Sequence, residues 1–187
     1  MQCPFCQTLL QATTPECPAC RLTYPRTTML LGVLPRLAQG VADTTQSLNQ
    51  AEQQKLRKKI AGLQRRFPQL VLQLVIHQFP TEHPFSMHAF WLFNAGNFAG
   101  DSRRGKDNHS ILLALDPTRR EAAIVPGYGL EPFMRSETLD HLLRLGDISW
   151  QSSKWADGLV QVLEGLDSLL ESIAIPDTNR ENQTGDF

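Results

Sequence analysis

Leu70-Val71-Leu72-Gln73-Leu74-Val75-Ile76 is apolar at six of its seven positions. A run of this length with no alternation reads as a strand buried on both faces, as in a sheet covered by helices on each side. Working outward, Asn49 followed three residues later by Glu52 predicts a capped helix start. Leu56, Ile60, Leu63 and Phe67 recur at helical spacing until Pro68 ends the helix. Downstream, a proline-marked loop over residues 80–84 leads into a short helix around residues 86–94. A polar loop follows from Gly96 to Lys106, then a second strand, Ser110-Ile111-Leu112-Leu113-Ala114-Leu115. Asp116-Pro117-Thr118-Arg119 predicts a turn, with residues 121–125 returning as a hairpin partner. Gly127-Tyr128-Gly129 breaks the chain before a helix near residues 137–144. Leu159, Leu163, Leu166, Leu170 and Ile173 mark one face of a last helix, with Ser152 or Ser153 as its cap.

The order is α-β-α-β-β-α-α, which predicts an α/β fold. A small mixed sheet is sandwiched between helices (α/β/α): a parallel β-α-β unit extended by an antiparallel hairpin. The body spans residues 41–174. A segment at 27–40 reads as a linker, although Met29, Leu30, Leu31, Val33, Leu34 and Leu37 call for something to pack on. Residues 175–187 are polar and read as a disordered tail.

Ahead of this body stand the chain's four cysteines, Cys3-Pro4-Phe5-Cys6 and Cys17-Pro18-Ala19-Cys20. Two such pairs across a short loop can present four thiolates at tetrahedral corners, the donor set of a closed structural zinc site. Residues 1–26 are therefore read as a zinc ribbon ending in a strand over residues 21–26, with structural Zn as cofactor. Iron, two disulfides or a dithiol redox centre are the competing readings. No βαβ pattern surrounds the cysteines, as a redox pair would require. So few apolar residues could hardly fold without an ion.

The 187 residues carry 18 basic and 19 acidic side chains, a net charge of −1. That balance excludes a global field for nucleic acid. No apolar run approaches the ~20 residues of a membrane span, and reduced cysteines point to a cytoplasmic protein. Gly100-Asp101-Ser102-Arg103-Arg104-Gly105-Lys106 has the letters of a phosphate loop. Asp107 stands where that loop needs a hydroxyl, and a helix precedes it where a strand should. The basic run Lys55, Arg57, Lys58, Lys59, Arg65 and Arg66 reads as a solvated helix face, or as a docking surface for an acidic protein partner. The five histidines show no ligand spacing. Asp43, Asp107 and Asn108 are candidate loop ligands for Ca or Mg if their loops converge at one sheet edge. The competing role is turn formation.

Several of these segments together resemble the TPM domain. They are Val41-Ala42-Asp43, the helix start over residues 48–56, Lys106-Asp107-Asn108, Gly127-Tyr128-Gly129-Leu130-Glu131, and the closing helix with Asp157-Gly158. The likeness covers about residues 33–172 and implies an α/β/α sandwich. The family is associated with photosystem repair, acid phosphatase activity in a thylakoid-lumen protein, receptor modulation and envelope roles. Some members bind divalent cations through acidic loops, and Asp43, Asp107 and Asn108 match those positions. The chain departs from the pattern at Ser136, near where an aspartate is common, and at His109, where glycine is usual. The resulting expectation is a protein-binding or assembly module without strong catalysis. The alternative is a divalent-metal-dependent phosphatase, with Arg103 or Arg104 stabilising developing charge.

Overall fold

In the computed structural model, described over residues 2–11, 14–34, 37–96 and 109–174, ten elements follow the cysteine pairs. They are α1 (Tyr24–Leu31), β1 (Val41–Asp43), α2 (Gln50–Arg66), β2 (Val71–Ile76), α3 (Phe85–Ala95), β3 (Ser110–Asp116), β4 (Glu121–Pro126), α4 (Ser136–Arg144), α5 (Asp147–Gln151) and α6 (Trp155–Ala174). The strands form one mixed sheet in the order β1-β2-β3-β4, parallel at the first two junctions and antiparallel at the hairpin. The sequence-predicted parallel unit is thus β2-α3-β3.

Alternation along the strands divides the core in two. Leu72, Leu74, Ile76, Ile111, Leu113 and Leu115 face α2, α4, α5 and α6. Val75, Leu112 and Ala114 face α3. The second side also receives Leu31, Leu34 and Leu37 from the segment read as a linker. Gln73, the polar exception in the buried run, explains why that segment stays down. Its Oε1 accepts from Gly40 N at 2.8 Å and its Nε2 donates to Ala38 O at 2.9 Å.

Helix α2 starts as predicted. Asn49 Oδ1 accepts from Glu52 N at 3.0 Å, and Asn49 N donates back to Glu52 Oε2 at 2.8 Å. Leu56, Ile60 and Leu63 are buried. Three of the six residues in its basic run, Lys55, Lys59 and Arg66, meet carboxylates that α6 places opposite. Lys55 pairs with Asp157 at 3.6 Å, Lys59 with Glu164 at 2.9 Å, and Arg66 with Asp167 at 2.7 Å and with Glu171. Each exposed pair contributes at most about 1 kcal/mol, so the row aligns two helices more than it stabilises them.

Three local expectations change. No strand forms over residues 21–26: Thr23 Oγ1 accepts from Arg26 N at 3.3 Å, and Pro25 lies in the first turn of α1. Ser152 does not cap α6 but ends the short helix α5, and Ser153 takes a left-handed φ of 56° between the two. The stretch Val41-Ala42-Asp43 is itself an edge strand. The look-alike phosphate loop and the tail lie outside the described residues.

Helix α5 exists to deliver Trp150, whose ring lies flat against Gly146 and Gly158. A Cβ on Gly158 would fall 2.2 Å from Trp150 Nε1. Gly158→Ala is therefore expected to destabilise by about 2–3 kcal/mol, since a rigid indole must move. In contrast, Gly62→Ala in α2 meets nothing nearer than Arg65 Nη2 at 3.8 Å. It should gain up to about 1 kcal/mol of helix propensity. Urea denaturation of the two variants, read as opposite midpoint shifts, checks the pair.

Candidate metal centre

Each cysteine pair closes the same turn. Cys3 N donates to Thr8 O at 2.9 Å and Gln7 N to Cys3 O at 2.9 Å; Cys17 N donates to Leu22 O at 3.0 Å and Arg21 N to Cys17 O at 2.8 Å. Gln7 and Arg21 occupy equivalent places and share a left-handed backbone, with φ of 62° and 58°. The two knuckles aim their sulfurs at a common point. Cys3 Sγ lies 3.7 Å from Cys20 Sγ, Cys6 Sγ lies 3.6 Å from Cys17 Sγ, and all four fall within 4.8 Å of one another. A tetrahedron with metal–sulfur bonds of about 2.3 Å has edges of about 3.8 Å. Disulfide bonding needs about 2.05 Å, and all four cysteines are free. The cluster can hold one metal ion.

The thiols are electrostatically unequal. Thr8 approaches Cys6 Sγ with its hydroxyl at 3.2 Å, and hydrogen bonding from that side chain and then its amide pulls the Cys6 pKa down to about 6. Burial raises Cys3, and burial pushes Cys20 up to about 12. Cys6 is thus the most readily ionised of the three shifted thiols, and Cys3 and Cys20 would have to give up their protons for an ion to bind.

The ribbon is seated on the α/β body. Met87 of α3 is fully buried against Cys3, Cys17 and Leu22, with Leu10 and Leu31 beside it. Ser86 Oγ donates to Pro4 O at 2.6 Å and accepts from Gln7 Nε2 at 3.4 Å. At this junction a cavity of about 760 Å³ opens, lined by Cys3 and Pro4 on one side and by Phe90, Phe93, Tyr128 and Met134 on the other. Sequence reasoning missed it. Its signals were the apolar α3, buried at Trp91 and Leu92 yet lining a cavity with Phe90 and Phe93, and the Gly127-Tyr128-Gly129 break.

Of the sequence-predicted acidic group, only Asp43 lies among the described residues. Asp43 ends β1, level with Ile76. Its Oδ1 accepts from Thr45 N at 3.0 Å and Thr45 Oγ1 at 2.8 Å, and its Oδ2 from Leu48 N at 2.8 Å. Asp107 and Asn108 lie outside the described residues. The next residue, His109, gives its carbonyl to Val71 N at 3.0 Å, at the opposite end of β2 from Asp43's level. Beside Asp43 is a hydroxyl-lined cleft of about 580 Å³, bordered by Thr44, Thr45, Ser47, His77 and Thr118. There Thr44 Oγ1 and His77 Nδ1 stand 2.7 Å apart, and burial lowers the His77 pKa against an opposing pull from Asp116. Burial likewise lowers His88, whose Nε2 lies 3.0 Å from Pro80 O. His88 is buried, whereas His77 is half-buried and borders the cleft. Among the described residues, the cysteines are the group of three or more His, Cys, Asp or Glu side chains that converge tightly enough to share an ion.

With this geometry in hand, a sequence profile of the TPM domain matches residues 41–169. The chain belongs to the TPM domain family. Three solved structures share the fold. The N-terminal domain of a protein from P. gingivalis is 19% identical, with a TM-score of 0.58 over 71% of this chain and 82% of its own. The N-terminal domain of the cg2496 protein from Corynebacterium glutamicum is 16% identical, with a TM-score of 0.53 over 91% and 93%. The BA42 protein from Bizionia argentinensis is 12% identical, with a TM-score of 0.57 over 70% and 86%. No curated protein matches the chain. The profile begins at Val41, so the cysteine ribbon lies outside the matched TPM region. Among the described residues, no helix is long and apolar enough to cross a membrane.

Proposed function

We propose that this TPM protein, its ribbon held by a structural zinc ion, is a protein-binding or assembly module without strong catalysis. The observation that supports it is the shared cavity at the ribbon junction, whose walls come from both units and whose lining is largely apolar. Tyr128 at its rim is half-exposed, as is Phe133 in the adjoining turn. Aromatic side chains at the mouth of a groove are the usual anchors of protein recognition. The carboxylates at the carboxyl edge of the sheet do other work: Asp43 holds its own turn, and Asp116 holds the β3–β4 turn and Phe79 N.

The test places a photo-crosslinking residue at Tyr128 in cells expressing the full chain, alongside a phosphomonoester assay with and without Ca²⁺ or Mg²⁺. A discrete covalent adduct at Tyr128 that is lost in Cys17→Ser, with no turnover, is the expected result. Turnover that needs the cation and vanishes in Asp43→Ala, with no adduct, would replace this reading by the hydrolase.

A further inference from the structure

Strand β4 closes the sheet on one side, and among the described residues no further strand pairs with its outer edge. Gly127 N donates to Ser110 O at 2.7 Å, which makes Ser110 and Gly127 a hydrogen-bonded pair. Antiparallel ladders alternate bonded and non-bonded pairs. Glu121, Ala123 and Val125 therefore bond to β3, while the backbone N–H and C=O groups of Ala122 and Ile124 point away from the sheet. Among the described residues, nothing outside the strand is bonded to them. The opposite edge is handled differently. Strand β1 has only three residues, and Arg57 Nη2 donates to the carbonyl of Val41 at 3.1 Å. Short edges and covered carbonyls are the usual protection against strand pairing; β4 has six residues and a proline only at its end.

Space runs along this edge for its whole length. The junction cavity continues into a second of about 590 Å³, and both are lined by Gln7, Ser86, Ile124, Val125, Ser136 and Leu139. The trough thus lies between α3 and α4 and follows β4 from Glu121 to Pro126, about 17 Å at strand rise. Ala89, Ala122 and Ala123 keep its walls low on both sides.

We infer that the outer edge of β4 takes up an extended apolar segment of a partner protein as a fifth strand, its alternate side chains directed toward the α3 and α4 walls and its flanks basic. This rests on the protein-binding reading and specifies its mode. Donors and acceptors repeating at every second residue fit a polypeptide backbone. Charge selects the flanks. Arg119 is engaged by Glu121 at 2.5 Å and by the carbonyls of Pro80 and His83. The other charged residues lining the trough are three acids, Glu131, Glu137 and Asp140, against one base, Arg135. A second copy would bring the same acidic rim against this one, so a different chain is the better occupant.

The probes are peptides selected on the full-length protein from a random twelve-residue display library. Backbone amide exchange is read residue by residue, with and without a saturating selected peptide. Ala122 and Ile124 should slow by at least about tenfold, while Ala123 and Val125, already bonded, change little. N-methylating the peptide amides that face β4 should weaken binding by at least about tenfold, and the intervening positions much less. Peptide binding that leaves Ala122 and Ile124 unprotected would sink the edge and keep the module. Failure to select any peptide while Tyr128 still crosslinks would do the same; neither peptide nor crosslink sinks both. Protection of these two amides by self-association alone, seen as a dimer in sedimentation, would replace the partner with a second copy.

Discussion

Asp116→Ala is expected to lower stability by about 3–5 kcal/mol, which for a chain of this size means a melting temperature lower by about 10 °C. Asp116 is completely buried, and among the described residues no salt bridge reaches it. Its Oδ1 accepts from Thr118 N at 2.9 Å and Arg119 N at 3.1 Å, and its Oδ2 from Phe79 N at 2.8 Å. One carboxylate thereby closes the β3–β4 turn and fastens the segment after β2 onto it. Alanine would leave three amide donors facing a void in a place water reaches poorly, and each such donor costs about 1–3 kcal/mol. Asp116→Asn keeps one oxygen but turns an amide N–H toward a donor, so its loss should fall between the two. Thermal unfolding of the three proteins checks the series. A wild-type melting temperature for the alanine variant would mean that the turn is held by its ladder and not by this side chain.

Cys17→Ser should remove the metal and unfold the ribbon while leaving the α/β body folded. Cys17 is nearly fully buried between Cys6 and Met87, and an alkoxide is not available to replace its thiolate. Most of the folding free energy of so small a unit comes from the ion. The graded comparison is Thr8→Val, which removes the hydroxyl 3.2 Å from Cys6 Sγ and no ligand. It should weaken metal binding by about 10–100-fold, the usual effect of losing an outer-shell partner, and Cys17→Ser by more. Metal content after dialysis against a competing chelator ranks the variants. Amide exchange should show residues 2–22 opening in Cys17→Ser while α6 keeps its protection. Full metal content in Cys17→Ser would exclude the four-sulfur site.

Much of this architecture was legible because the deciding signals are local. The Asn49–Glu52 box, the unbroken apolar run through β2, the turn at Asp116-Pro117 and the stripe of α6 each sit within one window of sequence. The paired cysteines pointed to a cluster able to hold a metal for the same reason. What stayed hidden depends on neighbours distant along the chain. Three residues are too few to show a period, so β1 is absent from the element order read from the sequence. Thr23 and Pro25 did spell a helix start, but the cysteine pattern drew them into the ribbon. The basic face of α2 looked vacant because its acidic counterparts stand roughly a hundred residues away on α6. For the candidate site, convergence of Asp43 with Asp107 and Asn108 depends on which end of the sheet each loop reaches. That is a property of register, which residue types do not encode. The open flank of β4 is likewise a fact of strand order.

Met87 gives the architecture a further consequence. A thioether from the first turn of α3 plugs the underside of the cysteine knot, so removing the knot uncovers the plug. Trimming the chain back to its matched domain, which removes both the ribbon and α1, would strand Met87 in solvent, close to Phe90. Such a fragment would be adhesive on the very side where selective contact is at issue, and its apparent partners would include whatever is greasy.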